Sequence, residues 1–266
     1  MLRSLYAGVS GMRNFQTKMD VIANNIANVN TTAYKSGRVR FQDMLSQTIA
    51  SAQSPVTDGL GGVNPRQVGL GVKVGSIDTM MTGGALQPTN RALDFAIEGE
   101  GFFVVSPDDG TTKLYTRDGA FYRDYTGNLV NSNGEMVLDT AGAIINIGEE
   151  FESFSIDGSG QINAVNEDGT ITNLGQLGMV KFSNPEGLEK KGGNNYVKSN
   201  NSGEPIDGVA GVAGLGVIRQ GFVEMSNVDL ANEFTEMIIT SRAYQANSRS
   251  ITTSDEMLQE LINLKR

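Results

Sequence analysis

A seven-residue recurrence of apolar side chains marks both ends of the chain. Leu5, Met12, Met19 and Ile26 repeat at that interval, and Phe15, Ile22 and Val29 follow the last three by three positions. This is the a/d spacing of a helix that packs lengthwise against another. Val9 and Ala23 widen the stripe, and the run stops in Asn28-Val29-Asn30-Thr31-Thr32, whose side chains bond their own backbone in competition with the helix. At the other end Leu230, Met237, Tyr244, Ile251 and Leu258 fall at the same interval, after a start signal in which Ser226 is the expected cap and Asp229 follows three residues on. A helix from Val228 to Leu264 would extend about 55 Å, too long for a compact domain of this size to hide. Its second seam is expected to be partly polar, with Phe234 and Ile262 apolar but Ser241, Ser248 and Asp255 between them. A closed two-helix coil rarely uses such residues, whereas a bundle of several subunits accommodates them.

Between the helices the period changes. Residues 46–68 combine breakers with little apolar surface and read as a linker. From Gly69 onward come short strand-like runs: Val72, Val74 and Ile77; Leu93, Phe95 and Ile97; Phe102 to Val105; Leu114 to Thr116; Phe121 to Arg123. Turn pairs Asp118-Gly119, Asn133-Gly134, Asp157-Gly158 and Asp168-Gly169 come at the tempo of an all-β domain. The predicted fold class is therefore α+β. Paired long N- and C-terminal helices (1–45 and 225–266) form a discontinuous, coiled-coil-like layer, and 46–68 is a linker leading into an inserted all-β domain (69–224). Asn194 to Gly216 reads as irregular chain before a last strand at Gly221-Phe222-Val223.

Charge adds an orientation. Through residue 40 the N-terminal segment carries Arg3, Arg13, Lys18, Lys35, Arg38 and Arg40 against Asp20 alone, while the C-terminal helix carries Asp229, Glu233, Glu236, Asp255, Glu256 and Glu260. Opposite charge favours apposition, although exposed ion pairs contribute only about 0–1 kcal/mol each. The net charge of −9 argues against a nucleic-acid partner, which requires clustered Lys and Arg. Histidine, cysteine and tryptophan are absent, so the usual general base, thiolate nucleophiles and the commonest metal ligands are absent too. No apolar run approaches a membrane span, and the N-terminus lacks the apolar core of a secretory signal, so the expectation is a cytoplasmic chain unless a signal-independent route exports it.

Chemical motifs yield to plainer readings. Gly69-Leu70-Gly71-Val72-Lys73-Val74-Gly75 fits neither nucleotide-binding spacing and reads as a glycine-rich strand or turn. Asp157-Gly158-Ser159-Gly160 and Pro107-Asp108-Asp109-Gly110 lack the alternating ligands of a calcium loop and read as turns. Glu149-Glu150 and Glu98 with Glu100 read as solvated acids rather than catalytic pairs. No catalytic, cofactor or metal site is expected. Asn24, Asn25 and Asn28 cost helix propensity, and against a frayed helix end the reading preferred is that they bond neighbouring subunits or line a water-filled channel. Terminal helices with long apolar seams need partners, and the economical solution is a helical polymer of the chain with itself. Leu5, Met12, Met19, Ile26, Leu230, Met237, Tyr244, Ile251 and Leu258 are the expected assembly contacts, with Phe15, Ile22 and Phe234 beside them.

Several motifs in order carry a family resemblance. Ser10-Gly11-Met12 followed by Met19-Asp20-Val21-Ile22-Ala23-Asn24-Asn25-Ile26-Ala27-Asn28-Val29-Asn30-Thr31-Thr32-Ala33-Tyr34-Lys35 resembles the N-terminal signature of flagellar rod and hook proteins, which more often have Gly where Ala33 stands. Leu93 to Phe103 and Tyr115 to Phe121 resemble the central motifs, and Ser226 to Leu230 with Arg242 to Ser248 the C-terminal one. The resemblance implies a structural subunit, not an enzyme, of an axial tube. It also implies export by the flagellar type III apparatus and assembly with the other axial proteins: rod, hook cap and hook–filament junction. In that family terminal helices surround the export channel and a β domain lies outside them. Gln67 to Val72 and Asn263-Leu264-Lys265-Arg266 look like the hook, a flexible joint whose outer domains slide, and this is the reading favoured. The length equally suits the distal rod, whose outer contacts must lock. Outside the family, the alternatives are a surface adhesin or β-rich binding module with coiled-coil ends and, further off, a histidine-free glycosidase.

Overall fold

The computed structural model describes residues 2–55, 61–108, 110–148, 151–166 and 170–264. The turn expected at Asp168-Gly169, the Glu149-Glu150 pair, Asp109, Lys265-Arg266 and the middle of the expected linker lie outside them. The chain divides into two compact units, one of Met1–Ala27, Gly37–Thr79 and Asp229–Arg266, the other of Asn28–Ser36 and Met80–Val228.

The first unit holds α1 (Leu2–Ala27) and α2 (Leu230–Leu264). α1 ends where the Asn/Thr run begins. α2 starts three residues later than the Ser226 signal would place it, because Asp229 is the cap: its Oδ1 accepts the N–H groups of Ala231 at 2.9 Å and Asn232 at 3.4 Å. The Ser226 hydroxyl instead accepts from Val228 N–H at 3.3 Å. A carboxylate at this position satisfies orphan donors and also meets the positive end of the helix dipole.

Segments expected as linker and outer strand form a ribbon in this same unit. β1 (Gly37–Asp43), β2 (Ser46–Ala50), β3 (Arg66–Gly69) and β4 (Val72–Thr79) pair antiparallel, β1 with β4 and β2 with β3. One register runs from Phe41–Val74 to Thr48–Gln67 across the interruption at Met44-Leu45 and Leu70-Gly71; it shifts between Arg40 and Phe41 and between Thr48 and Ala50, beyond which Gln53 bridges Val63. Gly71 at φ 123° turns the strand there, and its carbonyl accepts from Met44 N–H at 2.9 Å. Residues 46–68 are thus not a plain linker among the described residues. They escaped detection because every residue of β2 and β3 is exposed, so the alternation that reveals a half-buried strand is missing. β4, read as the first outer strand, alternates half-buried and exposed against α1, and Phe15 meets Phe41 of β1 edge-on with centroids 5.6 Å apart. Asn14 Nδ2 donates to Val72 O at 2.6 Å.

The second unit is all-β. It contains β5 (Leu86–Pro88), β6 (Phe95–Glu98), β7 (Phe102–Ser106), β8 (Leu114–Thr116), β9 (Tyr122–Arg123), β10 (Leu129–Val130) and β11 (Met136–Val137). β12 (Phe151–Ile156), β13 (Gln161–Asn166), β14 (Ile171–Gln176), β15 (Met179–Lys181), β16 (Glu189–Gly192) and β17 (Asn195–Val197) follow. Last come β18 (Ile206–Gly208), β19 (Val217–Gln220) and β20 (Phe222–Glu224). The main sheet runs β16-β17-β8-β7-β11-β10-β9, with β15 linking β7 to β18, and β12-β13-β14 form a meander. The core of this unit is built on Phe121, whose ring lies 5.9 Å from that of Phe95 and 5.4 Å from that of Phe103, and on buried Leu129, Ile162 and Leu177. Gly134, in the expected Asn133-Gly134 turn, takes a φ of 80°.

Candidate assembly interface

α1 and α2 run antiparallel. A side chain at Gly8 would meet Ile251, and one at Gly11 would lie 2.8 Å from Asn247 Nδ2. Toward the other end Lys18 Nζ pairs with Glu236 Oε2 at 2.6 Å, and Asn25 Nδ2 donates to Glu233 Oε1 at 3.1 Å. The acid–base contrast read from sequence thus appears as a direct ion pair. The two glycines let the helices close tightly, as small residues do wherever helix backbones approach.

Along α2 Met237, Ile251 and Leu258 are half-buried, as are Glu233 and Asn247, which with Thr240 and Ser254 stand three residues after successive heptad positions; Ile251 meets α1 at Gly8, Asn247 at Gly11 and Glu233 at Asn25. Thr240 and Ser254 are buried outright, and Thr240 Oγ1 has no hydrogen-bond partner. The second seam was expected one position further along, at Phe234, Ser241, Ser248, Asp255 and Ile262. Phe234 and Ile262 are instead exposed, at 50% and 64%. Small polar residues at seven-residue spacing were the available signal, missed because an apolar seam was sought.

Of the other expected contacts, Ile22 is buried, and Leu5, Met12, Phe15, Met19 and Ile26 are half-buried on α1. Phe15 is occupied by the ribbon. Leu230 and Tyr244 are exposed together with Ile238, Ile239, Met257, Leu261 and Leu264, so much of α2 presents an apolar face without cover in one chain. Ile22 is the one buried hydrophobic side chain of this unit among the described residues.

The asparagines divide. Asn25 is 1% exposed and bonds within its own chain: its Oδ1 accepts from Gly37 N–H at 2.9 Å, and its Nδ2 donates to Gly37 O at 2.9 Å as well as to Glu233. The reading that it bonds a neighbouring subunit or faces a channel is therefore corrected. Asn28 Oδ1 accepts from Thr31 Oγ1 at 3.1 Å, a local turn at the helix end, and Asn24 is exposed. Burial pushes the Glu233 carboxyl above its ordinary pKa, against the opposing pull of Asn25 and Lys18.

A second cluster, not foreseen, lies in the all-β unit. Lys35 Nζ reaches Glu224 Oε1 at 2.5 Å and Thr82 O at 2.8 Å, while Arg117 Nη1 reaches Glu224 Oε2 at 3.3 Å. All three side chains are essentially buried. Gly84 N–H also donates to Glu224 Oε1, at 2.9 Å, and Ala33 N–H donates to the Glu224 carbonyl at 2.8 Å. Burial lowers the Lys35 pKa, opposed by the adjacent Glu224. Residues 35, 117 and 224 lie too far apart in sequence for spacing to have linked them. The cluster fastens the segment after α1 into the β unit.

Three family models match the chain. They are "Flagella basal body rod protein" over residues 5–35, "Flagellar hook protein FlgE/F/G D1 domain" over 96–164, and "Flagellar basal body rod FlgEFG protein C-terminal" over 219–264. The flagellar basal-body rod protein FlgG of Bacillus subtilis is 52% identical over 272 residues, covering all of both chains. That of Borreliella burgdorferi is 40% identical over 269 residues, again covering both. The flagellar hook protein FlgE of Borreliella burgdorferi is 31% identical over an alignment of 444 positions that spans both chains. A solved Helicobacter pylori hook protein, FlgE2, is 14% identical with a TM-score of 0.25 over 64% of this chain and 48% of its own, too slight a likeness to bear on the fold. Matched motifs at both ends and in the middle, and full-length identity to rod and hook proteins alike, make the chain a member of the flagellar rod and hook family of structural axial proteins.

Proposed function

We propose that the chain polymerises with itself as the distal rod of the flagellar basal body, the rigid shaft beneath the hook. The observation that carries self-assembly is the disproportion in the helical unit, where among the described residues one hydrophobic side chain is buried while Leu230, Phe234, Ile238, Ile239, Leu261, Ile262 and Leu264 are exposed. Such a unit gains its stability from copies of itself, since a helix pair whose apolar row is mostly only half-buried is marginal in water. The choice of rod rests on length. The rod relatives align over 272 and 269 positions, close to this chain's 266, whereas alignment to the hook protein extends to 444 and leaves a large part of that protein unmatched here. The hook, favoured from sequence, has less support, and the flexible-joint mechanism is set aside with it. Contacts to other axial proteins and passage through the flagellar export apparatus belong to this reading. Electron microscopy of basal bodies from cells lacking the chain tests it. A shaft that stops short, with no hook above it, is expected; a complete shaft lacking only the hook would return the chain to the hook.

A further inference from the structure

We propose that a groove on the helical unit receives the last turns of α2 from a second copy of this chain; the inference rests on the assembly reading above. The groove has a volume of about 300 Å³ and lies where α1 meets the interruption of the ribbon. Its walls include Tyr6, Val9, Met44 and Leu70, with Arg13 and Lys73 contributing positive charge. It continues into a more open cleft past Leu45, where Asp43 is the acid at the outer end. Tyr6, Met44 and Leu70 are 73%, 40% and 37% exposed, so apolar surface stands uncovered beside two cations.

The chain's own α2 does not fill this groove. It is committed to the face of α1 carrying Gly8 and Gly11, whereas Ser10 and Asn14 on the groove side bond β4 at Val72. With Gly8 opposite Ile251 in an antiparallel pair, the turns after about Leu258 run beyond the end of α1. There Met257, Leu261 and Leu264 are 49%, 51% and 82% exposed. Their spacing of i, i+4 and i+7 is that of the anchors an amphipathic helix lays into a groove. Asp255, Glu256 and Glu260 accompany them, with no Lys or Arg from Ser250 to Leu264 and Lys265-Arg266 after that stretch. The segment that carries these anchors, Ser250 to Leu264, is apolar and acidic, and the groove is apolar and basic. Apolar contact supplies the attachment, and the charges select orientation and register.

The absence of cysteine allows a clean test. Two variants of the full chain, Leu70→Cys and Leu261→Cys, are co-expressed in cells lacking the natural chain, and isolated axial structures are mildly oxidised. A disulfide-linked dimer containing one of each is expected, at least tenfold above a control pairing Leu261→Cys with Tyr125→Cys on the β unit. Both variants incorporated with no excess of mixed dimer would overturn the groove while leaving self-assembly intact. If even the unaltered chain is missing from axial structures, self-assembly falls and the groove with it. Should a cysteine variant alone fail to incorporate, charge reversal decides: Lys73→Glu bars assembly and Glu260→Lys in the same chain restores it, and lack of restoration overturns the proposal.

Discussion

Lys35 shows how much one residue can hold. Its ammonium is buried against Glu224, which also takes Arg117, so deleting it leaves a carboxylate short of a partner in a dry site. Breaking such a pair from one side costs about 3–5 kcal/mol. Lys35→Ala should destabilise the β unit by that amount in urea unfolding, and a loss below about 1 kcal/mol would mean the pair is dispensable. Two residues earlier Ala33 sits at φ 56°, the left-handed conformation that the family's usual Gly would take freely. Ala33→Gly would relieve about 1 kcal/mol of backbone strain and forfeit a buried methyl worth about 0.8 kcal/mol. Near-neutral thermal unfolding is expected. Glu233 carries the acid sensitivity of the helix pair, with Lys18, Glu236 and Asp229 as its charged neighbours. Because its folded pKa is raised, the folded state binds the proton more tightly, and the pair gains stability as pH falls from neutral through that pKa. Helix content of the polymer should follow that trend, and Glu233→Gln should flatten it.

Among the elements, the terminal helices were legible because a seven-residue repeat survives wherever a helix lies along a partner; Met237, Ile251 and Leu258 are half-buried, and Ile251 lies against Gly8 of α1. The companion row was not. Glu233, Thr240, Asn247 and Ser254 keep the period but are polar, and hydrophobicity alone gives them no weight. Their fit depends on Gly8 and Gly11, whose missing side chains allow the close approach. Gly11→Leu should wedge the helices apart and abolish incorporation into axial structures, with the β unit keeping its unfolding transition; normal incorporation would show that the tight seam is not required. The β unit was readable from its turns and short apolar runs, whereas the ribbon's outer half was not, since exposed Ser, Gln and Thr look the same in a strand as in a linker.

At the scale of the whole molecule the two units have opposite characters. The β unit holds a buried aromatic and aliphatic core and an internal ion cluster, while the helical unit buries almost no apolar side chains by itself. Limited proteolysis of free subunits should therefore remove the terminal segments and leave a resistant β fragment, and protection of the same sites in the assembled structure is expected. The family was legible from motifs at both ends and in the middle, but the place within the axis was not. Gln67 to Val72 and Asn263-Leu264-Lys265-Arg266 pointed to the hook, whereas alignment to the hook relative runs over 444 positions against 272 and 269 for the rod relatives, a difference in length that the shared residues do not carry. Immunogold electron microscopy of isolated hook–basal bodies, with an antibody to the β unit and controlled exposure of the rod, addresses the place directly. Gold confined to the straight shaft below the hook is expected; gold along the curved segment outside the envelope would contradict the distal-rod assignment.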